Sequence, residues 1–132
     1  MSLNTNSKLF RQQAYINGQW VNAQDSSQFD VTNPANGEVI ARVSNVGATE
    51  TQQAIEAAEK ALPAWRAKSA KERSQILNKW FRLMMENQQE LAQILSTEQG
   101  KSINESMGEI AYGASFIEWF AEEGKRTYGE TI

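Results

Sequence analysis

The stretch Ser102 to Gly129, SINESMGEIAYGASFIEWFAEEGKRTYG, constrains the fold more than any other part of the chain. It opens with a capping box: Ser102 can accept from the backbone N–H of Glu105 while the Glu105 carboxylate reaches back to Ser102. No proline interrupts the helical pattern from Ile103 onward. One apolar stripe runs Ile103, Met107, Ile110, Ala114, Ile117, Ala121 at helical spacing, and a second runs Tyr112, Phe116, Trp119, Phe120. A helix apolar on two faces is made for burial on most sides. A chain of 132 residues has little with which to cover both. The helix therefore reads as part of a larger body.

The segments before it sort by period and turn chemistry. Residues 1–13 are polar, with Leu9 and Phe10 as the only anchors, and read as a loosely held arm. Asn17-Gly18 predicts a hairpin with a type I′ turn between Tyr15-Ile16 and Gln19 to Val21. A second hairpin pairs Phe29 to Thr32 with Glu38 to Val43 across Asn33-Pro34-Ala35-Asn36-Gly37, and Val39, Ala41 and Val43 give its return strand one apolar face. From Thr49 the period becomes helical. Thr49 with Gln52 offers a capping box, Ala54, Ile55, Ala58, Ala61 and Leu62 form a stripe, and Pro63 is expected to stop the helix at Leu62, with Trp65 packing beyond. Ser69 with Glu72 caps a second helix that buries Ile76, Leu77, Trp80, Phe81 and Met84 and leaves Lys79, Arg82 and Glu86 in water. A third helix starts near Gln88 after a break at Asn87, carries Leu91, Ile94 and Leu95, and stops at Gly100. The fold class is α+β: hairpins within 14–44, then four helices within 49–128. The order is not βαβ, so no parallel sheet closes within these residues. Gly108 and Gly113 fall inside a helix pattern, so no phosphate cradle is encoded.

Composition excludes several chemistries. The chain has no cysteine and no histidine, which removes disulfides, thiolate nucleophiles, the usual zinc sites and histidine triads. A net charge of -3 with scattered Lys and Arg argues against nucleic acid. No apolar run approaches the ~18 residues of a membrane span, and the N-terminus lacks an apolar signal core. A cytoplasmic protein is the expectation.

Few side chains invite a chemical role. Leu91, Ile94, Leu95 and Glu98 are spaced i, i+3, i+4, i+7, which puts a carboxylate on an apolar stripe. It either binds a cation or a backbone loop, or reaches solvent from a frayed last turn; spacing alone favours the second. Glu105 and Glu109 share a helix face, but Glu105 is explained as a cap and Glu109 as solvated. Tyr112, Phe116 and Trp119 at helical spacing read as packing surface first and pocket second, and small residues at 108, 111, 113 and 114 permit close helix approach.

The residues also carry a resemblance. The runs LFRQQAYINGQW, FDVTNPANGEVIARV, ALPAWRAKSAKERSQIL, LSTEQGKSINES and ASFIEWFAEEGKRTYGETI resemble the N-terminal part of the aldehyde dehydrogenase superfamily, from about Leu9 to Ile132. FIEWFAEEGKR resembles the branch of bacterial NAD(P)-dependent succinate-semialdehyde dehydrogenases of GABA breakdown. Such enzymes oxidise an aldehyde through a cysteine thiolate, pass hydride to NAD or NADP, and hydrolyse the thioester with a glutamate-activated water. In the family that machinery lies downstream of the matched portion. The resemblance therefore implies no catalytic and no cofactor-binding residue in this chain, which is expected to be an inactive fragment needing the remainder of an aldehyde dehydrogenase chain. It further implies a structural Na⁺ or K⁺ held by the carbonyls of Val31 and Thr32 and by Glu98, which reverses the preference for a frayed turn. It places Gly108, Tyr112 and Phe116 along an aldehyde tunnel. Homo-oligomerisation, or self-association through the apolar helix faces, is expected. The alternative is a stand-alone helical interaction module without enzymatic activity.

Overall fold

Asn17 (φ 49°) and Gly18 (φ 77°) both adopt the left-handed conformation, the requirement of a type I′ turn whose twist matches its strands. They join β1 (Ala14–Ile16) to β2 (Gln19–Val21), antiparallel with Tyr15 opposite Trp20. The computed structural model describes residues 3–132. A second antiparallel hairpin pairs β3 (Gln28–Thr32) with β4 (Val39–Ser44). Its turn is held by Asn33: the Asn33 carbonyl accepts the Gly37 N–H at 2.8 Å, and its side-chain oxygen accepts the Ala35 N–H at 2.9 Å. Gly37, at φ 75°, supplies the left-handed residue.

The return strand departs from simple alternation. Val31 pairs with Ala41 but Thr32 with Val39, so Ile40 is an extra residue and the ladder bulges there. Val39 consequently leaves the expected apolar face and is 51% exposed, whereas Ala41 is buried. The two hairpins form separate two-stranded sheets. They are stitched by the end of the N-terminal arm, where the Gln12 carbonyl accepts the Ser44 N–H at 2.9 Å and the Gln12 side chain accepts the Arg42 N–H at 3.0 Å. The arm is thus fixed at Gln12, because β4 has an unpaired outer edge to offer. Its residues 1 and 2 lie outside the described residues.

Four helices complete the chain: α1 (Ala48–Ala67), α2 (Ala70–Glu86), α3 (Gln88–Gln99) and α4 (Ile103–Glu123). Ser69–Glu72 and Ser102–Glu105 form reciprocal capping boxes as their sequences predict. Asn87 separates α2 from α3, and Gly100 ends α3 at φ 76° while its N–H donates to the Ser96 carbonyl at 2.8 Å.

Three helix ends differ from expectation. The first helix starts at Ala48 with Gly47 as its cap, not at a Thr49–Gln52 box. The reason is Glu50, whose carboxylate accepts the Gly47 N–H at 3.0 Å and the Gln24 N–H at 2.7 Å, and a charged acceptor outbids a hydroxyl. Pro63 does not stop α1 at Leu62: the helix continues to Ala67 and ends where Lys68 turns extended at ψ 143°. A proline forfeits one helical donor and crowds the turn behind it, and here a single further turn tolerates that before the Ser69 cap begins α2. Finally, α4 ends at Glu123, not near 128. Beyond Gly124 the backbone tightens, with the Arg126 N–H on the Glu123 carbonyl at 2.9 Å, and Tyr128 is 88% exposed with nothing to pack on.

The interior is built from small residues. Among the described residues the buried apolar side chains are Ala23, Ala41, Ala92, Ala114 and Ala121, and the largest fully buried side chain is Ser106. Small residues let α4 lie close on α2 and α3, which are its principal neighbours. The stripe Met107, Ile110, Ala114, Ile117, Ala121 faces inward, and only Ile103 of the expected set is exposed. On α2 the inward face runs Ser74, Leu77, Asn78, Phe81, so Ile76 and Trp80 are not buried as expected. With Leu83 they form a second stripe at i, i+4, i+7 that points away from α4. α1 touches the rest sparsely, and Ile55 (64%), Leu62 (48%) and Trp65 are exposed instead of packed.

Candidate functional site

The surplus apolar face of α4 is the most distinctive surface of the molecule. Gly108, Tyr112 and Phe116 succeed one another at i, i+4, i+8, so they line one side of the helix. Nothing lies within 4 Å of the place a Gly108 side chain would occupy. The Tyr112 and Phe116 rings meet edge to face at 4.8 Å and 77°, yet remain 66% and 47% exposed. Trp119 and Phe120 extend the surface, and with Tyr112 and Phe116 they line an open groove of ≈ 690 Å³, rimmed by Glu118, Glu122, Glu123 and Arg126. The sequence grouping of Tyr112, Phe116, Trp119 and Phe120 thus reappears as one contiguous face.

Three polar ties fix the rotation and axial position of that face. The Ser96 and Ser106 hydroxyls meet at 2.7 Å, with Ser106 wholly buried. Gln88 donates from Nε2 to the Met107 carbonyl at 2.9 Å, directly before Gly108. Asn78 donates from Nδ2 to Glu122 Oε1 at 3.2 Å. Asn78 and Lys125, whose ammonium lies 2.7 Å from Glu122, both favour the charged form, with the Lys125 bond the larger effect lowering its pKa. Lys101 pairs with Glu109 across the start of the helix. These ties were invisible at sequence level because each joins residues on different elements or turns, and no local pattern encodes them.

The residues expected from the resemblance to hold a cation fall at a second place. Val31 and Thr32 end β3, and Glu98 lies in the last turn of α3. The two ends are neighbours: a Cβ at Gly100 would sit 2.8 Å from Pro34 Cγ. α3 runs unfrayed to Gln99, and Glu98 is exposed. Among the described residues no group of three or more His, Cys, Asp or Glu side chains is placed to hold a metal. A cation here would have to draw on backbone carbonyls beside the one carboxylate, a donor set suited to a hard ion.

One structural carboxylate escaped the sequence reading. Glu50 is buried, and the Gln24 N–H above all, then its own and the Gly47 N–H, hold its carboxyl below the usual range, while Asp25 opposes this. Its signal, an acidic residue three positions after a glycine, was present but was overshadowed by the Thr49–Gln52 pair. The cap carboxylates Glu72 and Glu105 are lowered chiefly by the hydroxyls of Ser69 and Ser102.

Comparison with known proteins extends this picture. Residues 20–132 match the model of the aldehyde dehydrogenase family. The chain is 64% identical over 125 residues to a glutarate-semialdehyde dehydrogenase of Pseudomonas putida, covering 95% of this chain and 26% of that protein. It is 61% identical over all 132 residues to an NADP-dependent succinate-semialdehyde dehydrogenase of Escherichia coli, of which it covers 27%. Among solved structures, an Escherichia coli NADP-dependent enzyme superposes with a TM-score of 0.93 at 60% identity, over 98% of this chain and 26% of that one. A succinate-semialdehyde dehydrogenase from Burkholderia pseudomallei gives 0.90 at 56% identity, over 92% and 25%. The chain thus spans about a quarter of the length of these relatives. Among the described residues, no helix is long and apolar enough to cross a membrane.

Proposed function

The chain belongs to the aldehyde dehydrogenase family, and on that premise we propose that it is the N-terminal portion of a semialdehyde dehydrogenase. The whole protein would oxidise succinic semialdehyde to succinate with NAD⁺ or NADP⁺, as in GABA degradation. The observation that carries this is the end-to-end match, at 61% identity over the full chain, to a succinate-semialdehyde dehydrogenase. The similar match to a glutarate-semialdehyde enzyme makes the five-carbon homologue the competing substrate.

Within such a protein this portion has supporting roles. With no cysteine in the chain, the thiolate that attacks the aldehyde must come from the remainder, as must the cofactor site. Gly108, Tyr112 and Phe116 would form one wall of the aldehyde channel: the missing side chain at Gly108 leaves room, and the two rings exclude water from the path. The exposed groups Tyr112, Phe116, Trp119 and Phe120 would be covered by the remaining chain. Each aromatic buries ~150–250 Å² when enclosed, so four rings exposed by about half or more represent an apolar surface of the size that marks an interface. Val31, Thr32 and Glu98 would hold Na⁺ or K⁺ as a structural ion, and the complete protein would be a cytoplasmic homo-oligomer.

The test uses both forms. Protein extended by its remaining sequence should reduce NAD(P)⁺ with succinic semialdehyde, while the 132-residue chain should not. Turnover by the shorter chain would refute the division of labour. A second reading, an interaction module without activity, is favoured by the same exposed face; it predicts a monodisperse chain that captures a separate partner. The proposed reading instead predicts concentration-dependent self-association by light scattering, suppressed by Trp119→Asp.

A further inference from the structure

The chain contains two Asn-Gly dipeptides, Asn17-Gly18 and Asn36-Gly37, and both occupy hairpin turns. Such a pair is chemically fragile. Glycine has no Cβ to shield its amide nitrogen, so that nitrogen can reach the carboxamide carbon of the preceding asparagine. The structure treats the two sites in opposite ways.

At the second turn every reacting group is engaged. The Gly37 N–H, which carries the attacking nitrogen, donates to the Asn33 carbonyl at 2.8 Å. The Asn36 carboxamide is held at both ends: Nδ2 donates to Glu38 Oε2 at 2.8 Å, and Oδ1 accepts the Glu38 N–H at 3.0 Å. At the first turn both residues are exposed. Among the described residues, neither the Asn17 carboxamide nor the Gly18 N–H has a hydrogen-bond partner.

We infer that Asn17 is a site of spontaneous deamidation in the folded protein and that Asn36 is protected by its turn. The Gly18 nitrogen loses its proton and attacks Asn17 Cγ; the new C–N bond forms as the Cγ–Nδ2 bond breaks and ammonia leaves. The resulting five-membered imide takes up one water at either carbonyl and opens to aspartate or isoaspartate. No oxidant or reductant is needed, and one negative charge is added to the formal -3. The isoaspartyl product lengthens the main chain by one methylene inside a turn of only two residues. That length is incompatible with the Ile16–Gln19 pairing that closes β1 on β2.

The experiment ages the folded chain at mildly alkaline pH and maps the amide-to-acid mass gain and isoaspartate content peptide by peptide. A parallel sample is held unfolded in urea. Breaking three hydrogen bonds before reaction should slow Asn36 about a hundredfold relative to Asn17 in the folded chain. In urea the two rates should become similar. Equal rates in the folded chain, faster loss at Asn36, or an Asn17 that stays intact while the urea sample converts would each overturn the assignment. Glu38→Ala provides a second check: it should raise the Asn36 rate severalfold with no change at Asn17, and an unchanged Asn36 rate would overturn the protective role of the turn.

Discussion

Replacing Gly100 by alanine tests whether the end of α3 is fixed against the turn after β3, the junction on which the proposed cation site depends. Two costs arise. Gly100 sits at φ 76°, where an L-residue loses ~1–2 kcal/mol. The new methyl would also lie 2.8 Å from Pro34 Cγ, and that ring cannot retreat easily because Asn33 ties the turn through the Ala35 and Gly37 N–H groups. Overpacking of this kind costs ~1–3 kcal/mol. The stiffer unfolded chain returns ~0.4–1 kcal/mol. The net expectation is a loss of about 3 kcal/mol, a sizeable part of a total stability of ~5–15 kcal/mol. Urea unfolding followed by circular dichroism should show the midpoint falling by roughly 1–3 M at a slope of ~1–3 kcal/mol/M. Pro34→Ala in the Gly100→Ala background removes the clash but not the backbone strain, so about 1–2 kcal/mol of the loss should persist. A Gly100→Ala midpoint equal to the parent's, or a double variant no better than the single one, would refute the packing argument.

Other expectations concern separate parts of the fold. Hydrogen bonding lowers the Glu50 pKa, so its contribution is present above the ordinary glutamate value of ~4.3 and is lost as pH falls through the lower folded value. Glu50→Gln should therefore be less stable at neutral pH, and the gap to the parent should close in acid; a gap independent of pH would contradict the assignment. Ser106→Ala leaves the Ser96 hydroxyl without its partner at 2.7 Å, and because Ser96 is only half-buried the cost should be near ~1 kcal/mol. Ser96→Ala combined with Ser106→Ala should cost less than the two singles together, and strict additivity in urea would show that the hydroxyls do not cooperate. In the full-length protein proposed above, Glu98→Gln should make thermal stability less dependent on K⁺ or Na⁺; an unchanged ion dependence would remove Glu98 from the proposed site.

Much of the local structure was legible in the residues. Asn17-Gly18 specified its turn because only residues tolerant of positive φ fit a type I′ geometry. Ser69–Glu72 and Ser102–Glu105 specified helix starts because each box satisfies donors within four residues of one another. Tyr112 and Phe116 were legible as one stripe of a helix, whereas the channel wall proposed for them together with Gly108 came only from family resemblance. Glu50 was missed because its decisive partner, Gln24, lies 26 positions away. Pro63 misled because propensity sets a cost but not an outcome, and α1 accepts that cost for one more turn.

The sequence alone determined the two hairpins, the four helices and the excess of apolar helix surface, since turn chemistry, caps and periodicity act over a few residues. Only the tertiary structure decided which apolar stripe of each helix turns inward. On α4 it is the narrow one containing Ala114 and Ala121, while Tyr112, Phe116, Trp119 and Phe120 stay outside. On α2 it is the Ser74–Phe81 side, not the stripe of Ile76 and Trp80. On α4 the cause is close approach through its smallest residues, Ser106, Ala114 and Ala121, whereas the inward face of α2 mixes Ser74 with Leu77, Asn78 and Phe81. Hydrophobicity along a sequence records how much surface must be covered, not which partner covers it.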